Sequence, residues 1–182
     1  NFSIEEKGVY AILGKKDSGK STLAAILAGC CEADGGSVTY NDTLFAPDDK
    51  RCKQIKKKIG YVSEKCFFPT DMTVFELLDF TGRMRKVSPD KRARQIKEAL
   101  ELVCLSGKGE ALVKSLSAAE KKRLLLANAL IGNPSVIILD EPIANLAPDD
   151  VALFKDIISM LGEKKTVIIF TDRLALANEL AD

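Results

Sequence analysis

Along the chain, short apolar runs rich in β-branched residues alternate with stretches whose apolar positions recur at helical spacing. Gly8 to Leu13 is such a run and ends at Gly14, while about Lys20 to Ala28 has helical spacing with Gly29 as its stop. This reads as strand, glycine turn, helix. Ser37 to Tyr40 predicts a short strand closed by the turn pair Asn41-Asp42. Ile59 to Val62 predicts another, after the basic stretch Lys50 to Lys58, which reads as a solvated face. Thr73 and Glu76 have capping-box spacing at the head of Val74 to about Arg85. Ser88-Pro89 supplies an N-cap and a first-turn proline for a helix to about Leu105. These helices read as one inserted helical lobe, about 72–132. Ser117 and Glu120 form a second capping box before Leu124 to Leu130, and the strand Val136 to Leu139 ends in Asp140-Glu141-Pro142. Pro148 starts a helix that Gly162 stops, Thr166 to Phe170 is the last strand, and Arg173 to Leu180 the last helix. Strands alternating with helices and no internal repeat predict an α/β fold with a mainly parallel sheet covered on both faces.

Composition narrows this picture only slightly. With 182 residues and 46% hydrophobic content, the chain is expected to be a single domain over 1–182. A net charge of +1 provides no basic field for nucleic acid, and no nucleic-acid partner is expected. The five cysteines, Cys30, Cys31, Cys52, Cys66 and Cys104, lack paired spacing and no histidine is present, so buried reduced thiols in a reducing cytosol are expected rather than zinc or disulfides. No apolar run approaches the ~18–20 residues that cross a bilayer, so membrane contact is expected through a partner. The chain opens at Asn1 without methionine and runs almost at once into a strand. It is therefore expected to be a piece of a longer protein, truncated at both ends.

The strongest chemical signal is GKKDSGKS, Gly14 to Ser21, a P-loop pattern set between a predicted strand and a predicted helix. Small residues let successive N–H groups wrap phosphates, and the helix N-terminus adds its positive dipole end. Gly14, Lys15, Lys16, Asp17, Ser18, Gly19, Lys20, Ser21 and Thr22 are the candidate nucleotide-binding residues, with Lys20 reaching the β- and γ-phosphates and Ser21 ligating Mg²⁺. Asp17 is unusual in the loop, although aspartate tolerates positive φ better than most residues. VIILDE, Val136 to Glu141, places Asp140 and Glu141 at a strand's carboxyl end, where α/β sheets bind ligands. Asp140 is expected to hold Mg²⁺, directly or through water, and Glu141 to orient and deprotonate an attacking water.

LSAAEKKRLLLANALIGNPSVIILDEP, Leu116 to Pro142, resembles the signature helix of the ATP-binding cassette (ABC) family running into that family's second acidic motif. IGYVSE, Ile59 to Glu64, resembles its Q-loop strand, and KTVIIFTDRL, Lys165 to Leu174, its switch strand. The resemblance covers nearly the whole chain. No asparagine-lysine-x-aspartate motif is present, which argues against a GTPase. The resemblance implies a P-loop NTPase fold with the inserted lobe and a small antiparallel N-terminal β part. It also implies ATP and Mg²⁺ as cofactors, and a head-to-tail partner, identical or not, so that Ser117, Ala118, Ala119 and Glu120 meet the partner's ATP. Transmembrane transporter subunits would hold the chain at the cytoplasmic face of the membrane.

The resemblance has gaps. Ala118 and Ala119 stand where the family has glycines, adding methyl groups where a backbone approaches a phosphate. Glu64 replaces a glutamine that contacts Mg²⁺ and the lytic water, and a carboxylate still serves as a hard oxygen ligand. Ala147 replaces the D-loop aspartate. Asp172 replaces a histidine that donates to the γ-phosphate, and losing one such donor commonly costs ~10²–10³ in rate. The expected function is thus an ATP-binding, ATP-hydrolysing transporter subunit of reduced activity, with Glu141, Glu64 and Asp172 as catalytic positions and Ser21, Glu64 and Asp140 as the metal set. The alternatives are a nucleotide-gated binding or assembly module, and an ABC ATPase outside transport.

Overall fold

The computed structural model of the protein describes residues 2–45, 52–65 and 68–181. In chain order the elements are β1 (Gly8–Leu13), α1 (Lys20–Leu27), β2 (Thr39–Tyr40), β3 (Thr43–Leu44), α2 (Cys52–Lys57), β4 (Ile59–Val62), α3 (Val74–Met84), α4 (Pro89–Leu102), α5 (Ala118–Leu130), β5 (Val136–Asp140), α6 (Pro148–Gly162), β6 (Thr166–Thr171) and α7 (Leu174–Leu180).

The four long apolar strands form one parallel sheet in the order β1-β6-β5-β4, and β2 pairs antiparallel with β3. Successive strand residues face opposite sides, so each strand feeds two cores. Ile137, Leu139, Val167 and Ile169 pack toward the helical lobe and α6, whereas Ile138, Ile168 and Phe170 pack toward Ala24 and Leu27 of α1 and Phe45. That double burial explains why β5 and β6 are continuous apolar runs rather than alternating ones. The registers Leu13↔Thr171, Asp140↔Phe170 and Val62↔Leu139 bring all four carboxyl ends to one edge of the sheet.

Between β4 and β5, α3, α4 and α5 make the inserted lobe, with both predicted capping boxes formed at Thr73/Glu76 and Ser117/Glu120. Asp79 on α3 is bound by Arg92 of α4 and by Arg83 at 2.7 Å, and the Arg92 guanidinium, then Arg83, holds this carboxyl below the usual carboxylate range.

Several expectations are corrected. The basic stretch contains a helix that the sequence pattern did not predict, α2, with Cys52 buried; Lys53, Lys57 and Lys58 are exposed, as a solvated face requires. Lys50 and Arg51 lie outside the described residues. Of the thiols, Cys52 is buried but Cys30, Cys31 and Cys104 are exposed, because they lie in the turns that follow α1 and α4. Cys30, Cys31 and Cys104 carry free thiols, and Cys66 lies outside the described residues. The strand predicted from Ser37 forms only at Thr39–Tyr40, and its turn pair takes the left-handed conformation, φ 47° at Asn41 and 61° at Asp42.

Tyr40 ties the small hairpin to α1. Its hydroxyl donates to Leu27 O at 2.6 Å, its ring meets Phe45 edge-on at 5.3 Å, and burial pushes the phenol up to about 12. The unfolded chain releases this proton near pH 10, so between pH 10 and 12 it holds fewer protons than the folded chain and stability falls as pH rises. The loss amounts to about 2–3 kcal/mol across that window. Urea midpoints measured at pH 9 and pH 11.5 should show a shallower alkaline decline in Tyr40→Phe than in the wild type; an equal decline in both would contradict this assignment.

Candidate nucleotide site

The loop that follows β1 closes tightly. Gly14 donates its N–H to Thr171 O at 3.2 Å, and Ser18 N–H bonds Lys15 O at 3.2 Å. A Cβ on Gly14 would lie 2.6 Å from Ser18 Oγ, so a side chain there would fill the loop. Asp17 has φ 61° and Gly19 φ 88°, both left-handed, which is the conformation aspartate was expected to tolerate. Gly19 is the N-cap of α1 and makes no side-chain capping bond. The first N–H groups of α1, at Lys20, Ser21 and Thr22, therefore have no intrahelical acceptor and sit at the positive end of the helix dipole. The Lys20 ammonium lies across the loop and donates to Gly14 O at 2.8 Å and Lys15 O at 2.9 Å. Lys15, Lys16, Asp17, Ser18, Ser21 and Thr22 are exposed. Amides and an ammonium turned on one small loop fit a phosphate.

Glu141 leaves β5 at the same edge. Its N–H bonds Phe170 O at 2.9 Å, its φ of 46° is unusual for a glutamate, and its carboxylate is held on both oxygens. Thr171 Oγ1 donates to Oε2 at 3.1 Å, Asp172 N–H donates to Oε1 at 2.9 Å, and Lys20 Nζ lies 3.6 Å from Oε1. The Lys20 and Glu141 side chains are only 9% and 13% exposed, so this pair is poorly screened.

Glu64, Asp140 and Glu141 line one small cavity with Ser63 and Lys122 at the carboxyl ends of β4 and β5. Asp140 is 2% exposed, and among the described residues its Oδ1 has no hydrogen-bond partner. A buried, orphaned carboxylate oxygen fits a hard cation that completes its bonding. Among the described residues no group of three or more His, Cys, Asp or Glu could hold a metal by itself, so a cation at Asp140 needs other oxygens, such as the Ser21 hydroxyl and phosphate.

Lys122 of α5 reaches into the turn after β5, donating to Ala144 O at 2.6 Å, Glu141 O at 3.2 Å and Pro142 O at 3.4 Å. Burial pushes its ammonium below the usual lysine value, with Glu64 and Glu141 opposing that shift. The structure does not bring the predicted signature residues to this edge. Ser117 accepts from Glu120 N–H at 3.2 Å, the Glu120 carboxylate accepts from Ser117 N–H at 2.8 Å, and Lys108 lies 3.3 Å from Glu120. The Ser117 amide and then Lys108 hold the Glu120 carboxyl below its usual range. Ser117 and Ala118 are exposed and Ala119 is half-buried at the open N-terminus of α5. Asp172 is exposed at the end of β6, and Ala147 caps α6 without any side-chain bond.

Two residues at this edge escaped the sequence reading. Thr171 carried a weak signal, a hydroxyl closing an otherwise apolar strand just before Asp172. Lys122 carried none, since a lysine in a charged helix turn looks like solvated surface.

The family model described as ABC transporter matches residues 1–144. The chain belongs to the ABC transporter family. An ABC transporter ATP-binding protein of Archaeoglobus fulgidus is 33% identical over the full chain and 63% of its own length. Nod factor export ATP-binding protein I of Burkholderia lata is 31% identical over the full chain and 59% of its own length. The chain thus spans about three fifths of these curated relatives. A Clostridium perfringens protein described as part of the ABC transporter complex cbiONQ superposes with a TM-score of 0.86 at 26% identity, covering 100% of this chain and 74% of that one. A dimeric bacterial ABC transporter cassette superposes with a TM-score of 0.88 at 24% identity, covering 99% of this chain and 81% of that one, which shows the shared fold. Domains of this family bind ATP and are generally ATPases. Among the described residues no helix is long and apolar enough to cross a membrane.

Proposed function

We propose that this chain is the ATP-binding and ATP-hydrolysing part of a transporter subunit that works through membrane-embedded partners at the cytoplasmic face. The observation that carries this reading is the Lys20–Glu141 contact of 3.6 Å beside the orphaned Asp140 oxygen, at the edge where the P-loop opens. ATP would lie along Gly14 to Thr22, with the loop amides and Lys20 on its phosphates. Ser21, Asp140 and Glu64 would hold Mg²⁺, which supplies charge neutralisation on the phosphate oxygens. Glu141 would orient the attacking water and accept its proton. Ser117, Ala118, Ala119 and Glu120, facing away at the open end of α5, would serve the ATP of a second ABC domain. The relatives' names, export and a transporter complex among them, support this assignment.

A second reading is favoured by one observation. Asp172 places a carboxylate at the exposed end of β6 next to Glu141, where charge repulsion would disfavour a γ-phosphate. On that reading ATP sets conformation and turnover is slow. Both readings require nucleotide binding. Equilibrium titration with Mg-ATP should show Kd weakened about 10–100-fold in Lys20→Ala, the loss expected for one charge-assisted contact. Equal affinity in the two proteins would remove the P-loop from the site.

A further inference from the structure

Glu141 stands at φ 46°, a conformation a glutamate rarely adopts without support from its surroundings. Much of that support comes from the last residues of β6. Asp172 contributes only its backbone N–H, 2.9 Å from Glu141 Oε1. The other oxygen, Oε2, is held by the Thr171 hydroxyl at 3.1 Å. Thr171 is fully buried, so no bulk water competes for that hydroxyl.

The direction of the bond is set by a third group. Arg173 donates its N–H to Thr171 Oγ1 at 3.1 Å, occupying an acceptor site on the hydroxyl. A threonine hydroxyl has one proton, and with an acceptor position filled from Arg173, that proton is directed to Glu141 Oε2. Thr171 is also locked into the sheet, paired with Leu13 at the end of β1, and its carbonyl accepts from Gly14 at the start of the P-loop. One buried residue thus touches the base and the first residue of the phosphate loop.

We propose that Thr171 is a positioning residue for Glu141: its hydroxyl fixes the carboxylate rotamer that presents a free lone pair to the attacking water. This rests on the reading of Glu141 as the base of an ATPase. When Lys20 moves from Glu141 to the phosphates, the Thr171 hydroxyl and the Asp172 amide are the contacts that keep the carboxylate aimed. The imidazole that this chain lacks at Asp172 is not needed for that aim, because a hydroxyl and a backbone amide do the holding.

The test is steady-state Mg-ATP turnover together with equilibrium ATP binding for the wild type, Glu141→Gln, Thr171→Val, Thr171→Ser and the Thr171→Val/Glu141→Gln pair. Thr171→Val should lower kcat about 10–100-fold, the cost of one hydrogen bond to a charged group, with ATP Kd unchanged. Thr171→Ser, which keeps the hydroxyl, should restore most of kcat, and Thr171→Val should add little to Glu141→Gln because the two act as a unit. Wild-type kcat in Thr171→Val, a Ser variant as slow as Val, or full additivity with Glu141→Gln would each overturn the proposal. If Thr171→Val does not fold, Thr171→Ala against Thr171→Ser isolates the same hydroxyl. A wild type whose turnover is untouched by Glu141→Gln would overturn the base itself and this inference with it, and that result is read from proteins carrying no change at Thr171.

Discussion

Glu141→Gln should lower Mg-ATP turnover by about 10²–10⁴-fold, the usual contribution of a positioned general base, while leaving ATP affinity close to that of the wild type. The substitution keeps size and shape, and one amide oxygen can still accept from Asp172 N–H, so the left-handed turn at Glu141 has a partner left. What disappears is the basic carboxylate and the counter-charge 3.6 Å from Lys20. A Lys20 freed of that pair remains available to phosphate, so binding should survive or tighten slightly. Phosphate release measured beside equilibrium ATP binding separates the two effects. Unchanged turnover would place the base elsewhere, whereas absent turnover in the wild type together with tight binding would favour the nucleotide-gated reading.

Phe170→Ala should destabilise the fold by about 3–5 kcal/mol. Phe170 is fully buried in β6, the strand that lies between β1 and β5, and packs in one cluster with Ala24 and Leu27 of α1 and with Ile138. Truncation leaves a cavity beneath α1, and a close-packed interior closes over such a gap only in part. For a domain of this size the loss corresponds to roughly 10 °C in Tm. Because Phe170 O also accepts from Glu141 N–H at 2.9 Å, a shift of this strand would move Glu141 as well. Thermal unfolding followed by circular dichroism measures the first effect; a change below about 1 kcal/mol would mean that the site collapses without strain.

Much of the fold was legible because local signals and tertiary demands agree. The turn between β1 and α1 declared itself through Gly14 and Gly19, residue types that its tight backbone geometry requires whatever surrounds them. The capping boxes at Thr73/Glu76 and Ser117/Glu120 are local contacts, and both formed. The reading failed where burial is decided at a distance. The buried Cys52 agrees with the expectation of buried thiols, but α2 depends on an apolar contact that a basic stretch does not advertise, and the exposed Cys30, Cys31 and Cys104 follow from where α1 and α4 happen to end.

The sequence by itself determined the alternation of strands and helices, the glycine turn between β1 and α1, and acidic residues at a strand end, because periodicity and turn chemistry act over a few residues. Only the tertiary structure decided that β6 enters between β1 and β5. That insertion is a long-range pairing, and it sets Thr171 and the Asp172 amide on Glu141, residues 30 and 31 positions apart in the chain. The same packing brings Lys122 under the turn after β5 and leaves the Asp140 oxygen buried without a partner among the described residues. No local pattern encodes such contacts, since each depends on which strand lies beside which, and that choice is made by the burial of the whole sheet.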